Sequence, residues 1–435
     1  MIIEQAEGKY NHSRLFLIAS LALFTAALSA AIRAAVAGDI KAEYLDPVSL
    51  ATAGELIAQA LAISFLGFSC VLFGLSPFLD AIGMKRMLIG AALCFVIGNI
   101  VIISAGTFGS GEESYWYIWA GMLINGFGWG AVEATINPMI TSLYKDEKTH
   151  RLNVLHAWWP AGLIIGGLLG VAFSAIDIDW KMALIPIIVC ATAFAFLCMG
   201  VKFPQSERVE RGVSFSDMFK EIIRRPSFFV WFGAMFLTAA SELAPGQWVD
   251  VALTHTVGMR GILLLVYVAG LMFIMRHFAG PIAHRISDTG LLWFSSILTA
   301  FGLYFLSVAD TPVTGLLAAT VWGTGVAFMW PTMLGAVAQR YPNGGAFAIG
   351  LMGGAGSLSV YLVLPRLGQL YDQAKVTAAG GIEQLESLNA EEMVNVNTIA
   401  ATESFQAIAI LPVILVAIFG VVWFLESHNR RTETE

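Results

Sequence analysis

The sequence predicts an all-α integral membrane protein with twelve transmembrane helices, and three observations predict it. Apolar residues make up 57% of the 435-residue chain and charged residues only 13%, against about 25% charged in soluble domains. Twelve apolar stretches, each near the roughly 20 residues that cross about 30 Å of hydrocarbon, recur from Leu15 to Phe424. Lys and Arg crowd into alternate loops between those stretches, the asymmetry that sets orientation in a bilayer.

The apolar excess needs lipid to cover it, so a bilayer is the first partner implied. A formal charge of −7 with no clustered basic face argues against nucleic acid. Cys70, Cys94, Cys190 and Cys198 all fall inside apolar segments, where each reads as a small hydrophobe. No metal site and no cofactor are expected.

The predicted spans are 14–37, 52–76, 86–106, 115–143, 152–176, 181–201, 227–250, 258–282, 289–309, 313–339, 345–371 and 403–426. The first, Leu15 to Ile32 at its core, is longer than the apolar core of a signal peptide and eleven more follow, so it reads as helix 1. With the N terminus inside, eighteen of the 24 Lys and Arg lie in inner loops and six do not: Arg33, Lys41, Lys181, Arg260, Arg366 and Lys375. Both termini are therefore expected in the cytoplasm and the chain in the inner (plasma) membrane. The polar inner loop Lys202 to Pro226 divides the sequence into two six-helix bundles, 1–201 and 227–435, joined by a linker, 202–226. The acidic outer loop 372–403 carries no clear amphipathic signature, and its structure stays open.

Ionisable groups inside spans cost at least ~2.5–3.5 kcal/mol, so each is informative. In helix 4, Asn125, Trp129, Glu133 and Asn137 are spaced by four and are expected to share one face turned away from lipid. Eleven residues separate Glu133 from Tyr144, which puts the carboxyl about 16 Å from the inner end, near the midplane. A group there is placed to load and release a proton, or to glue helices together. The next helix opens with Asn153, His156, Trp158, Trp159 and Pro160, followed by Gly162, Gly166, Gly167 and Gly170. The glycines allow close helix contact, and Pro160 is expected to bend the helix and free a carbonyl. Amides beside indoles suit a hydroxylated ring, bonding hydroxyls while a flat face covers its apolar side; the indoles also suit an interfacial belt. In helix 7, Ala244-Pro245-Gly246 is expected to break the helix beside Glu242, Gln247 and Trp248. Arg33 lies about 28 Å above the inner end and Glu242 about 22 Å. An Arg33–Glu242 ion pair is the expected gate on the outer side.

A loop pattern recurs after the second helix of each half: Ser76-Pro77-Phe78-Leu79-Asp80-Ala81-Ile82-Gly83-Met84-Lys85-Arg86, then Gly280-Pro281-Ile282-Ala283-His284-Arg285-Ile286-Ser287. The pair resembles the loop signature of the major facilitator superfamily, with Ser76 in place of glycine and His284 in place of aspartate. The resemblance implies a twelve-helix major facilitator fold with a central solute cavity. It also implies that Asp80, Lys85, Arg86 and Arg285 make charge contacts that gate the inner side. More narrowly, Glu133-Ala134-Thr135-Ile136-Asn137-Pro138 with Arg151-Leu152-Asn153, and Phe328-Met329-Trp330-Pro331-Thr332-Met333, look like the fucose permease group of sugar–proton symporters. That likeness implies proton and substrate handling by Glu133, sugar contact by Asn153, and cavity positions for Trp322, Thr324 and Trp330. Helix 1 lacks the carboxylate of that group.

The expected function is therefore secondary transport of a small hydroxylated solute, in the first place a monosaccharide, with a proton as coupling ion. Export of lipophilic or cationic compounds, with Glu133 as cation partner, is the alternative. A membrane enzyme lacks its usual motifs here, as does an ATP-driven pump.

Overall fold

The computed structural model describes residues 10–107, 112–144, 151, 154–210, 212–254, 256–276, 286–341 and 344–432. Among these residues every regular element is helical. The spans, in chain order, are α1 (His12–Ala35), α2 (Ala53–Gly74), α3 (Met84–Ile103), α4 (Glu112–Leu143), α5 (Trp158–Ala175) and α6 (Ile185–Leu197). They continue as α7 (Ser227–Leu253), α8 (Ile262–Arg276), α9 (Asp288–Ser307), α10 (Pro312–Val326, resumed as Met329–Arg340), α11 (Gly345–Ala379) and α12 (Ala390–Thr432). Ten of these regions are long and apolar enough to cross a membrane. The 32-residue α4 and α8, of which 15 residues are described, complete the twelve-helix arrangement. An even number of spans puts both termini on one face, here the terminal face; the other is the far face.

Small residues decide which helices meet closely. A Cβ on Gly162 would stand 2.6 Å from the Ala27 Cβ, one on Gly166 2.8 Å from Ala31, and one on Gly170 2.5 Å from Ala35. The series therefore seats α5 on α1, with alanine meeting glycine at each turn. Gly167, on the next position round the helix, faces Val266 of α8 instead.

Prolines correct two expectations. Pro245 does not break α7, which runs unbroken for 27 residues. Lacking an N–H, it leaves the carbonyl four residues back, Ser241, without a helical partner, and the Trp322 indole Nε1 donates to that oxygen at 3.2 Å. The break lies in α10 at Ala327–Phe328. Pro331 frees the Ala327 carbonyl by the same logic, and Arg276 Nε donates to it at 3.1 Å. Pro160 sits in the first turn of α5, where no N–H is required, so it starts that helix rather than bending it.

The stretch 372–403 is mostly helical. α11 continues to Ala379, a short helix follows at Ile382–Ser387, and α12 starts at Ala390. At 1.5 Å per residue the 35 and 43 residues of α11 and α12 span about 52 and 65 Å, well beyond about 30 Å of hydrocarbon. Both helices therefore project past the far face, where Tyr371 Oη donates to Asn397 Oδ1 at 3.2 Å.

Ties between early and late spans close the far face. Asp372 of α11 accepts from the Glu55 backbone N–H, which opens α2, at 2.7 Å, and Lys375 donates to the Leu50 carbonyl at 3.2 Å. Arg260, in the α7–α8 turn, donates to the Ala35 carbonyl of α1 at 2.7 Å and to Ser174 of α5 at 2.9 Å, and pairs with Asp250 at 3.3 Å.

Candidate functional site

A cavity lies on the axis between α1, α2, α4 and α5 on one side and α7, α8 and α10 on the other. Ala30, Trp129, Trp159, Glu242, Gln247 and Trp322 line it together with apolar side chains such as Phe65 and Met272. Trp129 stacks on Trp159 with ring centroids 5.1 Å apart and meets Phe65 and Phe68 edge-on. One wall is thus a rigid aromatic sheet. Polar atoms interrupt it: Trp129 Nε1, Glu242 Oε2 and Gln247 Oε1 are buried and have no hydrogen-bond partner. Buried polar groups left unmatched cost about 1–3 kcal/mol each, which sets these three side chains apart from the apolar remainder of the lining.

Below the tryptophans, toward the terminal face, runs a chain of hydrogen bonds. Asn137 Nδ2 donates to Glu133 Oε2 at 3.0 Å, and Asn137 Oδ1 lies 2.9 Å from His156 Nε2. The histidine donates in that contact, since an amide oxygen only accepts. One amide therefore connects the α4 carboxyl to the imidazole ahead of α5, and all three groups are half-buried.

On the opposite side Glu242 pairs with Arg276 of α8 at 3.7 Å. The expected Arg33–Glu242 pair is not formed in this structure. Arg33 Nε donates instead to the Ser29 carbonyl at 3.1 Å, and its Nη1 has no partner.

The helix 4 stripe is split. Steps of four advance 400°, 40° beyond a full turn, so three steps carry Asn137 about 120° round the helix from Asn125. Asn125 is fully buried on the other flank, accepting from Asn99 Nδ2 of α3 at 2.9 Å and donating to the Gly121 carbonyl at 2.9 Å. It fastens α3 to α4 and leaves the cavity to Trp129.

Neighbours on a helix point about 100° apart, so one member of each predicted pair faces away. Trp159 lines the cavity, whereas Trp158 is 43% exposed and packs edge-on against Phe24. Gln247 lines it and donates to the Ala30 carbonyl at 3.4 Å, whereas Trp248 turns to Tyr371 of α11. Trp322 lines it, whereas half-buried Trp330 packs on Gly356 of α11, where a Cβ would come within 2.8 Å of its ring.

Asp80 accepts from the Ser206 backbone N–H and hydroxyl, at 3.3 and 2.9 Å, and so holds the segment after α6. Lys85 is half-buried and Arg86 exposed at the start of α3. Asn153 and Arg285 lie outside the described residues.

Sequence reasoning chose Trp158 over Trp159 for the site and missed Arg276 and the Arg260–Asp250 pair. Arg276 carried a signal, since it falls six residues inside the predicted end of span 8 and so needs a partner in the protein.

Residues 14–363 match the family model of the Major Facilitator Superfamily. Myo-inositol transporter 1 of Saccharomyces cerevisiae is 32% identical over 122 residues, 28% of this chain and 19% of that transporter's length. Among solved structures, a D-xylose–proton symporter has a TM-score of 0.70 at 14% identity, covering 89% of this chain and 96% of that one. The E. coli fucose:proton symporter has a TM-score of 0.59 at 16% identity, covering 94% and 99%. A nucleoside transporter has 0.66 at 14%, covering 94% and 99%. Such identities establish a shared fold, and these relatives are transporters, not enzymes. The chain belongs to the Major Facilitator Superfamily and has the fold of its multi-pass membrane transporters.

Proposed function

We propose that the protein moves a small hydroxylated solute, in the first place a monosaccharide, by alternating access and in step with a proton carried by Glu133. The observation that supports this most is the make-up of the cavity. Indole faces from Trp129, Trp159 and Trp322 stand beside the unmatched atoms of Trp129, Glu242 and Gln247. A sugar ring offers the matching surface: hydroxyls at the edge and apolar faces between them. The yeast relative named for myo-inositol and the symporters named for D-xylose and fucose all take polyhydroxylated solutes, which agrees with this reading.

In this reading the terminal face is cytoplasmic, the membrane is the inner membrane, and residues 1–201 and 227–435 rock as two bodies about the linker 202–226. Opening to the far side breaks the ties of Arg260 to Ala35 and of Asp372 to Glu55. Contacts of Asp80, Lys85, Arg86 and Arg285 guard the cytoplasmic side, and Asn153 joins Asn137 and His156 in contacting solute. The test is a thermal-stabilisation screen of the purified protein against monosaccharides, polyols and hydrophobic cations. Stabilisation by polyhydroxylated compounds is expected; stabilisation by hydrophobic cations alone would assign the chain to export.

A further inference from the structure

We infer that the transported solute carries a carboxylate, received by Arg33 at the far-face end of the cavity. This rests on the reading of the cavity as the solute site and adds the charge class of what enters it. Arg33 is 2% exposed in the last turn of α1. A guanidinium has five N–H donors and is always charged, yet the hydrogen bond it makes is the one from Nε to Ser29, and Nη1 is without a partner. Among the described residues no carboxylate pairs with Arg33. Glu242 faces Arg276, and Asp250 is taken up by Arg260, the Thr254 hydroxyl and the Ile262 N–H. A buried cation with no counter-ion among the described residues is a costly feature unless an anion visits it.

Arg33 lies just beyond the cavity lining, one turn past Ala30. Side chains on a helix lean toward its N terminus, and the Nε bond to Ser29 draws Arg33 that way, which is down toward the cavity. Ala30, one turn below, lines the cavity, and its carbonyl accepts from Gln247. Gln247 Oε1 and Ser29 Oγ have no partner. A cationic fork, an amide oxygen and a hydroxyl therefore stand together unmatched around one turn of α1. The fork fits a carboxylate through two parallel hydrogen bonds, while the amide and hydroxyl suit hydroxyls on the same molecule. One positive charge balances a monoanion, whereas a phosphate monoester brings about −1.5 to −2. The class that fits is a hydroxylated monocarboxylate, of which sugar acids are the simplest.

The experiment measures binding to the purified full-length protein for matched pairs of probes: glucose with glucuronate, galactose with galacturonate, and glucose 6-phosphate. In at least one pair the acid is expected to bind roughly tenfold or more tighter than the neutral sugar, the gain of a charge-assisted fork. Arg33→Gln should bring that ratio close to one by weakening the acid far more than the neutral sugar, and Arg33→Lys should keep part of the preference. A residue of structural importance alone would weaken acid and neutral sugar together. The inference is overturned if the wild type binds neutral sugars at least as tightly as their acids, if glucose 6-phosphate binds tighter than the acids, or if Arg33→Gln keeps the preference. Should Arg33→Gln not fold, the wild-type ratios and Arg33→Lys decide. Binding of neutral sugars without their acids removes this inference and leaves the reading of the cavity standing; binding of neither removes both.

Discussion

Two intramembrane glutamates stand on opposite sides of the cavity and are held by different chemistry. Glu133 of α4 is half-buried and receives a hydrogen bond from a neutral amide, Asn137, itself tied to His156. Glu242 of α7 is 6% exposed and faces the guanidinium of Arg276. An amide donor bonds a carboxyl oxygen in either protonation state, whereas a guanidinium, which has donors only, is matched by the anion. The difference teaches that a carboxyl inside a membrane span takes its duty from its partners. In the proposed reading the carboxyl with neutral partners changes charge during a cycle, and the ion-paired one fixes the shape of α7 against α8.

Replacing Glu133 by Gln should make the largest change and test the first half of this contrast. In proteoliposomes, accumulation driven by a pH gradient should vanish while solute exchange stays within about fivefold of wild type, the ~1 kcal/mol of one altered neutral hydrogen bond. Equal loss of both activities would instead put Glu133 in direct contact with solute or in a structural role.

Glu242→Gln tests the second half. It leaves Arg276 buried without its countercharge, a loss of about 3 kcal/mol at the lower end for broken buried pairs. The lower end applies because the pair is 3.7 Å apart. The melting temperature should fall, and Glu242→Gln with Arg276→Gln should recover most of it. A double variant no more stable than the single would show that the two groups are not coupled.

Asn137→Ala sharpens the comparison by cutting the link between Glu133 and His156. With two hydrogen bonds lost at about 1 kcal/mol each, proton-driven uptake should slow roughly thirtyfold; an unchanged rate would mean that the relay is incidental. The smallest effect is expected at Arg260→Ala, which removes partly exposed ties worth about 1 kcal/mol. Labelling of a cysteine placed at Gly38, beside Asp250, should rise a few-fold from the far face. No increase would show that Arg260 does not help to hold that face shut.

Composition and the spacing of apolar runs were enough to read twelve spans and the rarity of groups such as Glu133, Glu242 and Arg33, but not how far α11 and α12 run past their expected limits, to Ala379 and from Ala390. That information is local: a stretch of about 20 apolar residues has one way to satisfy its backbone in lipid, and every buried charge is an exception visible one residue at a time. The glycine series of α5 was legible for the same reason, since a missing side chain has one use at a helix contact. Partners were not legible. Whether Trp158 or Trp159 faces the cavity turns on a rotation of about 100°, which a neighbouring helix sets and the pattern of α5 leaves free. Nor could the chain, read in order, show that Pro245 frees a carbonyl for Trp322, 77 positions further on, or that Pro331 frees one for Arg276. Those contacts arise where α7, α8 and α10 come together, and there Glu242 meets Arg276.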